Sequence, residues 1–154
     1  KNGFFIATVP SMNCFLELKK SMILADEKIY GGSYQRFAQN ITIDAISKII
    51  KKYNFKIPVL EIDKILLKYS DFSSLINDIR YLGNSYIYKD RKNNFESKNY
   101  FKITEDIYWS KFSKKNKLLL SLEVIFITGW KEDVSQQKPL QPGEAKNSLK
   151  SALK

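Results

Sequence analysis

The sequence predicts an α/β domain built on three strands with helices between them. Three runs carry this expectation. Gly3 to Val9 is almost continuously apolar, Ile57 to Tyr69 is rich in aliphatic and β-branched residues, and Leu118 to Trp130 is the strongest strand in the chain. Between them lie stretches whose apolar residues recur at helical spacing.

The first run reads as a strand buried on both faces of a sheet, ended by Pro10. Ser11 or Asn13 is expected to cap the helix that follows, whose apolar face is Cys14, Leu18, Met22, Ala25 and Ile29, with Phe15 beside it. Cys14 sits on that stripe without a basic partner nearby in the sequence and reads as a small core residue. Gly31-Gly32-Ser33 breaks the helix, and Tyr34 to Asn40 forms a loop of mixed polar and aromatic character. Neither a P-loop lysine nor a G-x-G-x-x-G pattern follows those glycines, so they do not read as a phosphate loop.

Thr42 caps a second helix that buries Ile43, Ile46, Ile49, Ile50 and Tyr53, with Asn54 as its stop signal. The strand from Ile57 opens around Pro58 and shifts its alternation near Asp63-Lys64, which predicts a bulge there. Ser70 or Asp71 then caps a short helix with Phe72, Leu75, Ile76, Ile79 and Leu82 on one face, ended by Gly83. Ser85 to Asn94 interleaves basic and aromatic residues, which suits either a solvated connector or a site for a phosphorylated or nucleic ligand. Ser97 starts a helix with Tyr100, Ile103, Ile107, Tyr108 and Phe112 inward. In the last strand Leu118, Leu120, Leu122, Val124 and Phe126 share one face, and Leu119, Ile125 and Ile127 the other. Residues 132–154 form an extended polar tail in which Glu144 to Leu153 has the pattern of a short surface helix.

Composition narrows the chemistry. With 154 residues, 44% of them apolar, the chain can bury one core. It has no histidine, which removes imidazole bases and histidine-ligated metals, and its one cysteine leaves no internal disulfide. No apolar run reaches the roughly 20 residues of a membrane span, and Phe4 to Val9 is too short for a signal peptide. A reducing, cytoplasmic location is therefore expected. The net charge of +10 raises nucleic-acid binding as a possibility. The lysines are scattered, however, and the only arginines are Arg36, Arg80 and Arg91, so a solvated surface is the plainer reading. The chain also opens on Lys1-Asn2-Gly3 and is at once inside a hydrophobic strand, which reads as a cut through a larger protein.

The order of elements and four short motifs carry a resemblance. Lys1-Asn2-Gly3-Phe4-Phe5-Ile6-Ala7, Phe15-Leu16-Glu17-Leu18-Lys19-Lys20-Ser21-Met22, Asp78-Ile79-Arg80-Tyr81-Leu82-Gly83-Asn84-Ser85 and Phe126-Ile127-Thr128-Gly129-Trp130-Lys131 stand in family order. Ser135-Gln136 and Pro142-Gly143-Glu144-Ala145 follow them. Together they resemble the C-terminal half of the class I S-adenosylmethionine-dependent methyltransferases. The nearest groups are the biotin-pathway malonyl-carrier-protein O-methyltransferases and the methyltransferase-like assembly factors of respiratory complex I. Leu82 replaces the usual Met and Glu144 the usual Ser.

This resemblance implies a Rossmann-like, mixed three-stranded half-sheet with inserted helices. The strand from Leu118 would run antiparallel between the other two, leaving the Gly3–Val9 strand as an exposed edge. Residues 1–131 would be the substrate-side half of the methyltransferase domain. The cofactor-binding half would be absent, so S-adenosylmethionine would be held mainly outside this chain and the chain alone would be inactive. Ligands in such sheets sit beyond the carboxyl ends of strands. That places Ser11, Met12 and Asn13 at the mouth, with Tyr34, Arg36, Arg80 and Asn84 as a lid, Arg80 suited to a carboxylate through its planar fork. The resemblance implies either O-methylation of a malonyl thioester on acyl carrier protein, or modification of a protein arginine by hydroxylation during complex I assembly, and the tail favours the second branch. The alternative is a non-catalytic basic module binding RNA or an acidic protein.

Overall fold

The computed structural model describes residues 3–83, 96–137 and 143. The chain runs β1 (Phe4–Pro10), α1 (Leu16–Tyr30), α2 (Ile43–Lys52), β2 (Phe55–Tyr69), α3 (Phe72–Tyr81), α4 (Lys98–Phe112), β3 (Ser113–Lys114) and β4 (Lys117–Lys131). The result is an α/β arrangement with an open sheet ordered β1-β4-β2, to which the two-residue β3 adds a hairpin at the start of β4.

β4 lies centrally and antiparallel to both neighbours, with Phe4 opposite Trp130, Pro10 opposite Val124 and Tyr69 opposite Leu118. The reversed central strand agrees with expectation, but the sheet is antiparallel at every described pairing rather than mixed. β1 and β2 are parallel only to each other, across β4. Centrality explains why β4 is the most apolar strand in the sequence: it must satisfy a neighbour on both edges and a layer on both faces.

The faces of β4 divide the core. Leu118 and Leu120 point toward α1, α3 and α4, where they pack with Phe15, Leu18, Phe72, Leu75 and Tyr108. Ile125 and Ile127 point the other way, onto Ile46 and Ile50 of α2. In α2 the buried stripe is only those two residues. Ile49 is 46% exposed and Tyr53 65%, contrary to the broader face expected, because one helix at the margin of a sheet contacts it along a single line.

Three of the expected caps are present. Thr42 Oγ1 accepts the Ala45 N–H at 3.2 Å, Asp71 Oδ1 accepts the Ser74 N–H at 2.8 Å, and Ser97 Oγ accepts the Tyr100 N–H at 3.1 Å. The backbone N–H bonds hold the Asp71 carboxyl below its ordinary pKa. Gly31 and Gly83 end their helices in the left-handed region, at φ 70° and 69°.

Three expectations are corrected. β1 is not buried on both faces: Ile6 is 64% exposed and Phe4 53%, since β4 is its one partner among the described residues and α2 covers only the side of Ala7 and Val9. The bulge in β2 is not at Asp63-Lys64, where the ladder is regular. It lies at Ile57-Pro58, which together oppose Gly129. Pro58 has no N–H to give the ladder, and Ile57 takes φ 48°, a strained value for a β-branched residue. Gly129 accommodates this with the Phe55 ring against its backbone: a Cβ there would stand 3.1 Å from Phe55 Cδ1. The polar interruption at Asp63-Lys64 is instead an ion pair, Lys64 Nζ to Glu123 Oε2 at 3.2 Å. Third, α1 is not capped by Ser11 or Asn13. It starts after Phe15, whose left-handed φ of 61° turns the chain into the helix without a side-chain cap. The interleaved segment from Ser85 and the helix expected from Glu144 lie outside the described residues.

Candidate functional site

Past Pro10 the chain leaves the ladder but keeps following β4. The Ser11 N–H donates to the Glu123 carbonyl at 2.9 Å and the Phe15 N–H to the Ser121 carbonyl at 2.8 Å. Glu17, the acidic residue of the motif at the start of α1, then takes the place of a strand. Its carboxylate accepts the Ser121 N–H at 2.9 Å and the Ser121 hydroxyl at 2.5 Å. The turn of residues 11–14 is thereby fixed at the carboxyl end of β1.

Ser11 and Asn13 both address Glu123. Ser11 Oγ donates to Glu123 Oε1 at 2.5 Å and accepts the Asn13 N–H at 3.0 Å, while Asn13 Nδ2 donates to the same Oε1 at 3.0 Å. Glu123 is buried in a central strand and carries Lys64 on its other oxygen. The Ser11 hydroxyl foremost, then Lys64 and Asn13, hold its carboxyl below the ordinary 4.5, against the upward pull of burial. A depressed folded-state value means this contribution to stability is complete above the unfolded carboxyl pKa and is lost as pH falls through the folded one. Glu123→Gln is therefore expected to lose less stability than the unsubstituted chain on going from about pH 6 to about pH 3.5, measured by urea denaturation at each pH.

The loop of residues 34–41 closes over this turn. The Met12 N–H donates to the Ile41 carbonyl at 3.2 Å, and Asn40 Nδ2 to the Ser11 carbonyl at 3.0 Å. The other end of the loop is anchored by Arg36. Its Nε donates to Asp26 Oδ2 at 2.9 Å, its Nη2 to Asp26 Oδ1, and its Nη1 to Glu96 Oε1 at 2.9 Å. The Tyr34 N–H adds a bond to Asp26 Oδ2 at 3.2 Å. The guanidinium also lies 4.2 Å from the Tyr100 ring centroid. Burial alone would lower the Arg36 pKa; the bonds to Asp26 and Glu96 outweigh it and hold the group above its ordinary value.

Between turn, helix and loop lies a cavity of about 350 Å³. Met12, Met22, Ile23 and Phe37 make it apolar, and Lys19, Tyr34 and Arg36 add polar groups. Met12, Tyr34 and Arg36 line this cavity. Asn13 and Glu123 do not; they line a separate pocket of about 350 Å³ with Leu16, Lys64, Ile65 and Leu66, and Ser11 is buried against Glu123. Arg80 is elsewhere. It lines a separate groove of about 310 Å³ between α3 and α4, beside Lys98 and Lys102. Asn84 lies outside the described residues. Sequence reasoning did not single out Lys19, Phe37, Asn40 or Glu123. Only Glu123 left a trace, as a charge interrupting an apolar strand.

Cys14 is buried, and burial pushes its thiol pKa up, which suits a core residue. Among the described residues no three acidic or cysteine side chains converge to hold a metal ion, and no helix is long and apolar enough to cross a membrane.

The chain resembles two arginine-hydroxylases. It is 32% identical over 148 residues to the protein named arginine-hydroxylase NDUFAF5, mitochondrial, of Dictyostelium discoideum, a match covering 94% of this chain and 34% of that protein. It is 21% identical over 149 residues to the protein of the same name from Danio rerio, covering 96% of this chain and 46% of that protein. The chain therefore spans between about a third and about half of the curated relatives it matches. No family model matches it.

These names correct two expectations. The relatives are hydroxylases, not S-adenosylmethionine-dependent methyltransferases acting on a malonyl carrier protein, and they are mitochondrial, not cytoplasmic. The assembly-factor side of the resemblance is the side the relatives support. A lone cysteine reports only on redox state and does not separate one reducing compartment from another.

Proposed function

We propose that this chain is the C-terminal, substrate-side portion of a mitochondrial arginine-hydroxylase that modifies a protein during complex I assembly. The similarity to two arginine-hydroxylases over nearly the whole chain carries this reading. The cavity beside the carboxyl end of β1 is the substrate mouth in it, where open α/β sheets bind ligands. The sheet belongs to a larger Rossmann-like one. β1 has a free edge among the described residues, and Phe4, Ile6 and Val59 form an exposed apolar strip on the face opposite α2. The remainder of the longer protein would pair with that edge and cover that strip.

S-adenosylmethionine, if bound by the longer protein, does not fit the residues described here. No carboxylate lines the cavity, and the nearby Glu17, Asp26 and Glu123 accept hydrogen bonds from the turn, the loop and β4, so among the described residues none is presented to a ribose there. The role left to this portion is to receive and orient a peptide.

The test is to incubate the full-length protein, under the conditions in which it is active, with mitochondrial extract from cells lacking it, and to map modified peptides by mass spectrometry. A gain of one oxygen atom on a specific arginine is expected, together with restored assembly of complex I. Gain of a methyl group instead, or no arginine modification, would overturn the reading.

A further inference from the structure

The cavity between α1 and the loop of residues 34–40 is lined by a cation, Lys19, that no carboxylate among the described residues pairs with. Lys19 projects from α1 beside Met12, Met22, Ile23 and Phe37. Its Nζ donates to the Met12 carbonyl at 3.2 Å and lies 5.7 Å from the Phe37 ring centroid. Among the described residues no carboxylate pairs with it. The other cation of the cavity, Arg36, is already held by Asp26 and Glu96. The ammonium has three N–H donors, and one carbonyl leaves it capacity for more.

The bond of Lys19 Nζ to the Met12 carbonyl is open to solvent while its stem lies against the apolar wall, so the ammonium is accessible to an incoming counter-charge. Burial lowers the pKa of Lys19. The apolar walls exclude water from one side of the ion, which strengthens any partner it meets. A ligand that brings a carboxylate on a short apolar stem satisfies both features: the stem lies against Met22, Ile23 and Phe37, and the carboxylate reaches Nζ.

We propose that this cavity is a carboxylate anchor, in which Lys19 pairs with an acidic side chain of the peptide that carries the target arginine. The identity of the peptide rests on the arginine-hydroxylase reading above, but the preference for a carboxylate does not.

Two arms test it in the full-length protein. In the first, butanoate and its neutral isostere butanamide are titrated against the unsubstituted protein and against Lys19→Met, with binding read by NMR at the Lys19 side chain and the Met22 methyl group. Butanoate is expected to bind the unsubstituted protein roughly tenfold more tightly than the amide, the size of one charge-assisted hydrogen bond, and Lys19→Met is expected to abolish the preference. Lys19→Arg should retain part of it. Equal affinity for acid and amide in the unsubstituted protein would overturn the anchor.

In the second arm, arginine peptides with Glu or Gln near the target residue are compared for binding. The same roughly tenfold preference for Glu, again lost in Lys19→Met, is expected. Discrimination by butanoate without discrimination between the peptides would overturn the peptide as its source. Discrimination in both arms without any hydroxylation of the arginine would overturn the hydroxylase reading and leave the anchor intact.

Discussion

Arg36→Met is expected to destabilise the protein by about 3–5 kcal/mol, the cost of leaving a buried ion without its partner. Asp26 is fully buried and would keep only the Tyr34 N–H of the partners described, while Glu96 would lose its Nη1 donor. Tyr100 would lose the cation over its ring. The loss is read from the urea midpoint at unchanged denaturant slope. The double substitution Asp26→Asn with Arg36→Met should cost clearly less than the sum of the two singles, because each single leaves a polar group stranded that the double removes. A loss under about 1 kcal/mol for Arg36→Met would mean that water reaches Asp26 and that the cluster is a surface pair. The consequence reaches the cavity as well. Arg36 ties the loop of residues 34–40 both to α1, through Asp26, and to the residue just ahead of α4, through Glu96. Without it, the wall that holds Phe37 opposite Lys19 loses its fixed end.

Tyr108→Ala should be comparably damaging, at about 3–5 kcal/mol. Tyr108 is fully buried at the junction of α4 with β4, edge-on to Phe72 at 5.8 Å and to Phe112 at 5.6 Å. Its hydroxyl donates to the Leu119 carbonyl at 2.7 Å, and burial holds its pKa far above that of a free phenol. Tyr108→Phe separates the two contributions. It keeps the ring and removes one hydrogen bond, so a loss of about 1 kcal/mol is expected from it. If Phe cost as much as Ala, the hydroxyl rather than the ring would hold α4 to the sheet. Thermal and urea unfolding of the two variants side by side decide between these outcomes.

Both predictions concern residues whose importance was unevenly legible. Tyr108 stands at helical spacing from Tyr100 and Phe112, so its inward direction follows from period alone. The salt-linked cluster does not. Asp26 sits on a helix among other charged residues, and nothing local distinguishes it from the exposed Glu27 beside it. Its partners are 10 residues away at Arg36 and reach, through that arginine, to Glu96, 60 residues further on. The resemblance puts Arg36 in a lid; the fold ties its guanidinium to Asp26 of α1 and to Glu96, while Arg36 also lines the cavity.

The candidate site shows the same division. The resemblance puts Ser11, Met12 and Asn13 at the mouth because ligands in such sheets sit beyond the carboxyl ends of the strands. That Ser11 and Asn13 spend their polar atoms on Glu123 could not be read, since the contact spans more than a hundred residues of sequence. Arg80 shows the limit of placing a lid from sequence: α3 is found where expected, but its end faces α4 and a different groove.

By itself, the sequence determined the α/β class, the places of the three main strands, three helix caps and two glycine stops, while the central reversed position of the last strand came from the family resemblance. These depend on local backbone chemistry and on how apolar a strand must be to have neighbours on all sides. Tertiary structure alone decided the position of the bulge, the exposure of β1, the buried Asp26–Arg36–Glu96 link and the placement of Lys19 beside Met12, Met22 and Phe37 at one cavity. Each of these is set by which distant segment arrives opposite a residue, and periodicity within a segment carries no record of that.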